Sequence, residues 1–191
     1  MPVERAPAPR DITLRIELDD SDPLIWREIL VPVSIDLRLL HVIIRRVMGW
    51  ESGEAHEFIF GNMHYGESHP LDGLPDGLND EDRVTLAKAL GGRRSFEYMY
   101  DYSSAWWHRI TVTGSVETSS GRTSPQCTAG ANACPPPGLR GIGEYEEFLS
   151  AAGNPKHPRA AEFRSIANEP FDPTAFDITE TNAQLAKIKI L

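Results

Sequence analysis

The chain has 191 residues, of which 40% are hydrophobic, which suits one well-buried domain better than two. Nineteen basic residues against 28 acidic ones give a formal net charge of -9, and the longest basic runs are two arginine pairs, so nucleic acid is not an expected partner. No apolar stretch approaches the ~20 residues of a membrane span, and the start of the chain lacks the apolar segment of a secretory signal. We therefore expect a cytoplasmic protein without a membrane partner.

The chain is predicted to consist of a disordered arm and one domain. Residues 1–10 hold three prolines among alanines and charges, which favours disorder. The domain spans 11–191 and divides into a strand-rich part (11–116), an irregular loop (117–141) and a helical tail (142–191).

Two strands are expected to open the domain as an antiparallel hairpin. Apolar residues alternate with polar ones from Ile12 to Leu18, the period of a half-buried strand. The turn residues 19–23 follow, and WREILV then predicts a second strand.

The next segment predicts one long N-terminal helix. Ser34 is the expected cap, apolar residues recur at helical spacing as far as Met48, and Gly49 is a plausible stop. His41 lies within this helix and is interpreted as a partly buried histidine without a function.

A second group of strands is predicted around an aromatic hairpin. In AHEFIFG, His56, Phe58 and Phe60 share one face. Residues 61–83 are predicted to be a long excursion without regular structure, in which LNDEDR is a solvated turn. A helical turn at TLAKAL then precedes a strand in RSFEYMYDY and a returning strand in WHRITVTGSV, which makes YDYSSAWWH the tip of a hairpin.

The end of the chain is predicted to be helical. EYEEFLSAA and HPRAAEFRSIAN predict two helices, and a last short helix closes the chain. Helices that cover a sheet in this way indicate an α+β fold.

Several segments together resemble the plasmid pRiA4b ORF-3-like family. They are PLIWREILVP, LHVIIRRVMGW, HEFIFG, YDYSSAWWHRI, QCTAGANACPPPG, EYEEFLSA and FDPTAFD, in the family's order and spacing, and the likeness runs from about Ile12 to the C-terminal helix. The resemblance implies a mainly antiparallel, curved sheet with packed helices. It implies little about chemistry, because the family has no established activity.

The chain departs from the family pattern at two places. Members usually carry a glycine-aspartate-glycine turn where this chain has Ser103-Ser104-Ala105, and here Trp107 stands beside Trp106. Many members also have a third cysteine where this chain has Pro137-Gly138-Leu139. The first change makes the hairpin tip more apolar, which suits an organic ligand better than a metal or a phosphate.

The hairpin and the AHEF strand carry the candidate site. If they adjoin, one concavity collects Trp50, His56, Phe58, Tyr100, Tyr102, Trp106, Trp107 and His108. Apolar walls with a few polar groups are typical of a small-molecule pocket. The same aromatic side chains also suit plain core packing, so both interpretations stand.

Two functions follow from the pocket interpretation. The first is a module that binds a small organic molecule or a peptide without turnover, and its expected ligand-binding residues are Trp50, Phe58, Tyr100, Tyr102, Trp106 and Trp107. The alternative is an enzyme of specialised metabolism that uses His56, Asp101 and His108 for acid–base chemistry, such as an isomerisation, cyclisation or elimination. In that hypothesis Asp101 orients an imidazole.

No cofactor or metal is expected. Cys127 and Cys134 are six residues apart, unlike the tight pairs of structural zinc sites, and further ligands such as His69 or His157 have no predicted place beside them. Buried thiols and a local disulfide both remain open.

Overall fold

A computed structural model describes residues 10–50, 53–68, 73–118, 122–152, 154–167 and 171–190, which form eight strands and five helices. The strands are β1 (Arg10–Leu18), β2 (Trp26–Pro32), β3 (His56–Phe60), β4 (Met63–Gly66), β5 (Asn79–Asp80), β6 (Ser95–Tyr100), β7 (Trp106–Glu117) and β8 (Gln126–Ala131). The helices are α1 (Leu37–Met48), α2 (Leu86–Leu90), α3 (Gly141–Ala152), α4 (Ala160–Ala167) and α5 (Ile178–Leu185). The predicted arm lies outside these ranges except for Arg10, which begins β1.

The strands form one sheet in the order β5-β4-β3-β6-β7-β1-β2-β8. Every neighbouring pair is antiparallel except β4 and β5. The predicted hairpins β1–β2 and β6–β7 are confirmed, as are the predicted helices that became α2, α3, α4 and α5. The mixed α+β class with a mainly antiparallel sheet is therefore confirmed.

The sheet has one buried inner face because successive strand residues point to opposite sides. In β1, Ile12, Leu14 and Ile16 are buried, whereas Thr13 and Arg15 are half-buried on the outer face. The inner face packs against apolar residues from the helices, namely Leu40, Ile43, Ile44, Tyr145, Phe148, Phe163 and Leu185. Burial of this face supplies the main driving force for folding.

The prediction of one long N-terminal helix is wrong. Two strands precede α1, and the helix has only 12 residues. It also begins later than expected, because Asp36 is the cap: its carboxylate accepts a hydrogen bond of 2.6 Å from the Leu39 amide. Ser34 lies in an exposed turn before it. Gly49 ends the helix as predicted, in the left-handed conformation with φ of 77°.

Two stretches predicted to be irregular contain strands. Residues 61–83 hold β4 and β5, and residues 117–141 hold the end of β7 and all of β8. The sequence of β8 has little strand character, but tertiary partners hold it. It pairs with β2 on one side, and on the other the Asn182 side chain bonds both the amide and the carbonyl of Cys127, at 2.8 and 2.9 Å.

Among the helices in the described ranges, none is both long enough and apolar enough to cross a membrane.

Candidate functional site

The register of the β6–β7 hairpin decides which aromatic residues face inward. Tyr100 pairs with Trp106, Met99 with Trp107, and Tyr98 with His108. Directly paired residues share a face and consecutive residues do not. Tyr100 and Trp106 therefore point to the buried inner face, whereas Trp107 points to the outer face and is 42% exposed.

Trp50 reaches the hairpin tip because it directly follows Gly49, where α1 ends. Its ring stacks on Tyr100, with centroids 4.5 Å apart and planes 8° from parallel. It meets His108 edge-on at 5.1 Å, and its centroid lies 6.3 Å from that of Trp106. The three large rings thus form one continuous aromatic wall.

The turn at the hairpin tip is braced by its own carboxylate. Asp101 has a positive φ of 58° and accepts hydrogen bonds from the Ser103 amide at 3.0 Å and from the hydroxyls of Ser103 and Ser104 at 2.6 Å. Partial burial acts to raise the pKa of the Asp101 carboxyl, but these hydrogen bonds outweigh it and lower the pKa below its usual value. Asp101 is therefore ionised and occupied within the turn.

The expected pairing of Asp101 with His108 is not formed. His108 donates from Nδ1 to the Tyr98 carbonyl at 3.2 Å, and its Nε2 has no hydrogen-bond partner among the described residues. Burial lowers the pKa of His108 to about 4, so the ring is neutral at ordinary pH. The prediction that Asp101 orients this imidazole is wrong, because the carboxylate accepts its hydrogen bonds from Ser103 and Ser104 within the turn.

A cleft of about 560 Å³ lies between the hairpin tip and the proline-rich segment before α3. Gly141, with φ of 78°, lets the two approach: a Cβ there would stand 2.6 Å from the Ser104 carbonyl oxygen. The cleft is lined by Trp50, Glu54, Tyr100, Asp101, Ser103, Ser104, Trp106 and residues 135–140. Arg140 and Glu54 are exposed, and Leu139 is buried.

A second polar cluster lies further along the inner face. His56 Nε2 is 2.7 Å from Glu81 Oε2, and His41 stacks face to face on His56 with centroids 3.5 Å apart. His41 Nδ1 in turn shares a hydrogen bond of 2.8 Å with the Tyr98 hydroxyl. Burial, and then the neighbouring His56, lower the pKa of His41 to about 2, while burial raises the pKa of Tyr98 well above its usual value. Both groups are therefore neutral.

The sequence did not predict this cluster. From the sequence, His41 is given no function. Its burial could have been predicted, because His41 continues the apolar stripe of α1 at positions 37, 41, 44 and 48. Glu81 was expected in a solvated turn, yet it is only 1% exposed. Nothing in LNDEDR distinguishes that carboxylate from its neighbours.

The expected site residues separate into four groups. Trp50, Tyr100 and Trp106 line the cleft with Asp101. His56 instead borders another cavity of about 480 Å³, together with Tyr102, which is half exposed and donates to Glu57 at 3.0 Å. Phe58 and His108 are fully buried core residues. Trp107 forms the fourth group, because it points to the outer face. The prediction that His56, Phe58, Tyr102, Trp107 and His108 line one concavity with Trp50, Tyr100 and Trp106 is therefore wrong.

Both cysteines are free thiols. Burial raises the pKa of each, that of Cys134 to about 11, despite the nearby Arg27 guanidinium. Within the described residues no group of three or more histidine, cysteine, aspartate or glutamate side chains is arranged for a metal ion. His157 lies between α3 and α4, and His69 falls outside the described residues.

Comparison with known proteins gives relatives along most of the chain. The model of the plasmid pRiA4b ORF-3-like family matches residues 10–180. The uncharacterized protein y4hQ of Sinorhizobium fredii (strain NBRC 101917 / NGR234) is 30% identical over 174 residues, which cover 90% of this chain and 88% of that protein. The crystal structure of MM3350, a protein of unknown function from Methanosarcina mazei Go1, matches with a TM-score of 0.80 and 26% identity, over 91% of this chain and 98% of that one.

Proposed function

The chain belongs to the plasmid pRiA4b ORF-3-like family, and we propose that its aromatic cleft binds a small organic molecule without chemical turnover. One observation carries this proposal. Trp50, Tyr100 and Trp106 pack together in the core, where they are only 7%, 3% and 5% exposed, and their accessible parts give a cleft of about 560 Å³ an apolar lining. Ligand pockets have volumes of roughly 300–1,000 Å³ and walls of this kind.

The lining favours a ligand with a flat apolar body and polar substituents. The accessible parts of the three aromatic rings and of Leu139 offer apolar contacts to a flat ring. Glu54 and Arg140 stand exposed at the cleft, where they can bond polar groups of either charge. The Asp101 carboxylate already has three donors, so it contributes less to recognition.

A peptide, the other occupant that the sequence suggested, has less support. A cavity of this volume surrounds most of a drug-sized molecule but only a few side chains of a peptide. The acid–base enzyme hypothesis also has less support, because its three groups do not converge. Asp101 is held in the turn, His108 is fully buried, and His56 borders a different cavity.

We further propose that the protein works in the cytoplasm and has neither nucleic acid nor a membrane as a partner. The net charge of -9 opposes binding to a polyanion. The unpaired thiols of Cys127 and Cys134 suit a reducing compartment.

The adjacent tryptophans of β7 provide a matched test of the cleft. A metabolite library is screened by thermal shift and tryptophan fluorescence against the wild type, Trp106→Ala and Trp107→Ala. We expect a ligand that stabilises the wild type and Trp107→Ala but not Trp106→Ala, with about 2.7 kcal/mol of stabilisation at a ligand concentration of 100 Kd. Trp107 is the control because it has the same chemistry on the opposite face.

A second variant guards against loss of folding in Trp106→Ala. Pro137→Trp adds a large side chain at an exposed position that lines the cleft, so it obstructs the cleft without opening a hole in the core. The proposal requires that this variant fold and bind the same ligand at least tenfold more weakly. Unchanged affinity in both Trp106→Ala and Pro137→Trp would move the ligand elsewhere and refute the cleft as its site.

A further inference from the structure

Two carboxylates from neighbouring segments line the aromatic cleft. They belong to Glu54, which precedes β3, and to Asp101, which follows β6. The Asp101 amide donates a hydrogen bond of 2.9 Å to the carbonyl of Ala55, the residue after Glu54. This bond continues the pairing of β3 with β6, in which His56 lies opposite Tyr100. The sheet therefore brings the two acidic residues to the same end of the cleft.

Both carboxylates carry a negative charge. Glu54 is exposed, and an exposed glutamate is ionised at neutral pH. Partial burial acts to raise the pKa of the Asp101 carboxyl, but hydrogen bonds from Ser103 and Ser104 lower it below its usual value. Those donors are neutral groups, so they keep the carboxylate ionised without cancelling its charge. A ligand in the cleft therefore meets two negative charges.

The basic side chain in the described lining of the cleft, Arg140, has its charge offset by acidic groups outside the cleft. Its amide donates to Glu144 at 2.7 Å. Hydrogen bonds from Arg159 lower the pKa of Glu144 and Glu162, and the positive charge of Arg140 adds to this effect. With Glu147, which also pairs with Arg159, three carboxylates there face two guanidinium groups. Arg140 therefore does not cancel the charge of the cleft carboxylates.

We infer that the ligand of the cleft is an organic cation, an ammonium group carried on a flat apolar ring. The inference rests on the proposed function, because it concerns the same cleft. The apolar lining accommodates the ring, while Glu54 and Asp101 attract the positive charge. A cleft lined by charges of one sign concentrates ligands of the opposite sign, and the net charge of -9 acts in the same direction.

Three indole derivatives that differ in charge test this inference. Tryptamine is a cation, tryptophol is neutral and indole-3-acetate is an anion, and all three carry the same flat ring. The full chain is titrated with each probe at low salt and followed by ¹H–¹⁵N spectra. We expect tryptamine to bind about threefold more tightly than tryptophol and about tenfold more tightly than indole-3-acetate, the size of effect that exposed charges produce. The amides of Ser104, Trp106 and Leu139 should shift.

The salt dependence of binding separates charge from shape. In 1 M NaCl the Debye length is about 3 Å, so the attraction between exposed charges is screened. The preference for tryptamine over tryptophol should then fall below about twofold, while the affinity for tryptophol should not decrease. A preference for tryptamine that is equally large at low and high salt would contradict the inference.

Removing one carboxylate tests its contribution. Glu54→Gln removes a charge at an exposed position with little change of shape, so it should weaken tryptamine binding about twofold to threefold and leave tryptophol binding unchanged. Glu97→Gln is the matched control, because that exposed glutamate lies on the outer face of β6. It should change neither affinity. If the two variants bind tryptamine equally well, Glu54 does not attract the ligand and the inference fails.

A double variant removes both charges. Asparagine tolerates the positive φ of 58° at position 101, and its carbonyl oxygen can still accept a hydrogen bond from Ser103. Glu54→Gln with Asp101→Asn should therefore fold and lose the preference for tryptamine over tryptophol. A preference that survives in the folded double variant would overturn the inference. If this variant does not fold, Glu54→Gln and the salt dependence decide the question.

The outcomes with the three probes also distinguish this inference from the proposed function. Equal affinities, with shifts at the cleft, would refute a cationic ligand and leave the cleft as a binding site. Tighter binding of indole-3-acetate than of tryptamine would have the same meaning. An absence of shifts at the cleft with all three probes would refute both the cationic ligand and the cleft as a site for flat aromatic molecules.

Discussion

His108 illustrates how one buried side chain makes the stability of the protein depend on pH. Burial lowers the pKa of His108 from 6.5 to about 4. As the pH falls, the unfolded chain therefore binds a proton at this imidazole near pH 6.5, whereas the native state binds it only near pH 4. The contribution of the neutral ring is complete above pH 6.5 and is lost as the pH falls through this window. The loss amounts to about 3 kcal/mol at pH 4.

We predict that His108→Leu reduces the acid sensitivity of the protein. Urea unfolding at pH 7.0, 5.5 and 4.5 should show a smaller loss of unfolding free energy with pH, by as much as about 1.4 kcal/mol per pH unit for one proton. Sensitivity from His41 should remain, because burial lowers the pKa of that group too. The variant should be less stable at pH 7, since the bond to the Tyr98 carbonyl is lost. Parallel pH profiles for the two proteins would show that His108 is not the group responsible.

The start of α1 depends on one carboxylate. Asp36 has an extended backbone, and its side chain accepts a hydrogen bond from the Leu39 amide at 2.6 Å. We predict that Asp36→Ala lowers the free energy of unfolding by about 1 kcal/mol, the usual effect of losing an N-cap. Ser34→Ala is the control, because that exposed serine was the cap expected from sequence. If chemical denaturation gives equal losses for the two variants, Asp36 is not the cap.

The edge strand β8 shows that a strand can form without a strand-like sequence. QCTAGA has little apolar alternation, yet β2 pairs with it on one side, and on the other Asn182 satisfies the amide and the carbonyl of Cys127. Gly130 also allows the Phe176 ring to lie close, since a Cβ there would be 2.7 Å from that ring. These partners come from distant parts of the chain, so local propensity could not reveal them.

Arg27 connects the sheet with the end of α1 and with the segment that precedes α5. It donates to the carbonyls of Val47 at 3.1 Å, Ala131 at 2.8 Å and Asn132 at 2.8 Å, and its guanidinium lies 4.1 Å from the centroid of Phe176. Val47 lies in the last turn of α1, Ala131 ends β8 and Asn132 follows it, and Phe176 precedes α5. A planar group with several donors fits this arrangement, whereas a lysine ammonium does not.

We predict that Arg27→Lys lowers the free energy of unfolding by about 3 kcal/mol, because one buried and two half-buried carbonyls lose their donors. Arg15→Lys is the matched control. That arginine lies half-buried on the outer face of the same sheet, where it pairs with Glu17, and its replacement should cost less than about 1 kcal/mol. Urea unfolding of both variants checks the difference. Equal losses of unfolding free energy would mean that the two arginines contribute equally to stability, which would contradict the prediction.

Local pattern alone predicted much of the scaffold. The period-2 alternation of β1 and β6, the helical stripe that became α1 and the left-handed stop at Gly49 follow from contacts between near neighbours in the chain. The mixed α+β class followed from the succession of such elements and from the family resemblance. These features are readable because each depends on residues a few positions apart.

The composition of the two cavities depended on the tertiary structure. Trp106 and Trp107 are identical in type and adjacent in sequence, and only the pairing register of β6 and β7 turns one inward and the other outward. Glu81 is buried because its segment packs beside β4 and meets a histidine 25 positions earlier in the chain. The residue types that can bind a ligand are thus visible in sequence. Which of these residues share a cavity is decided by strand register and by long-range packing. The free energy of that packing comes from contacts between distant segments, so no single segment reveals it.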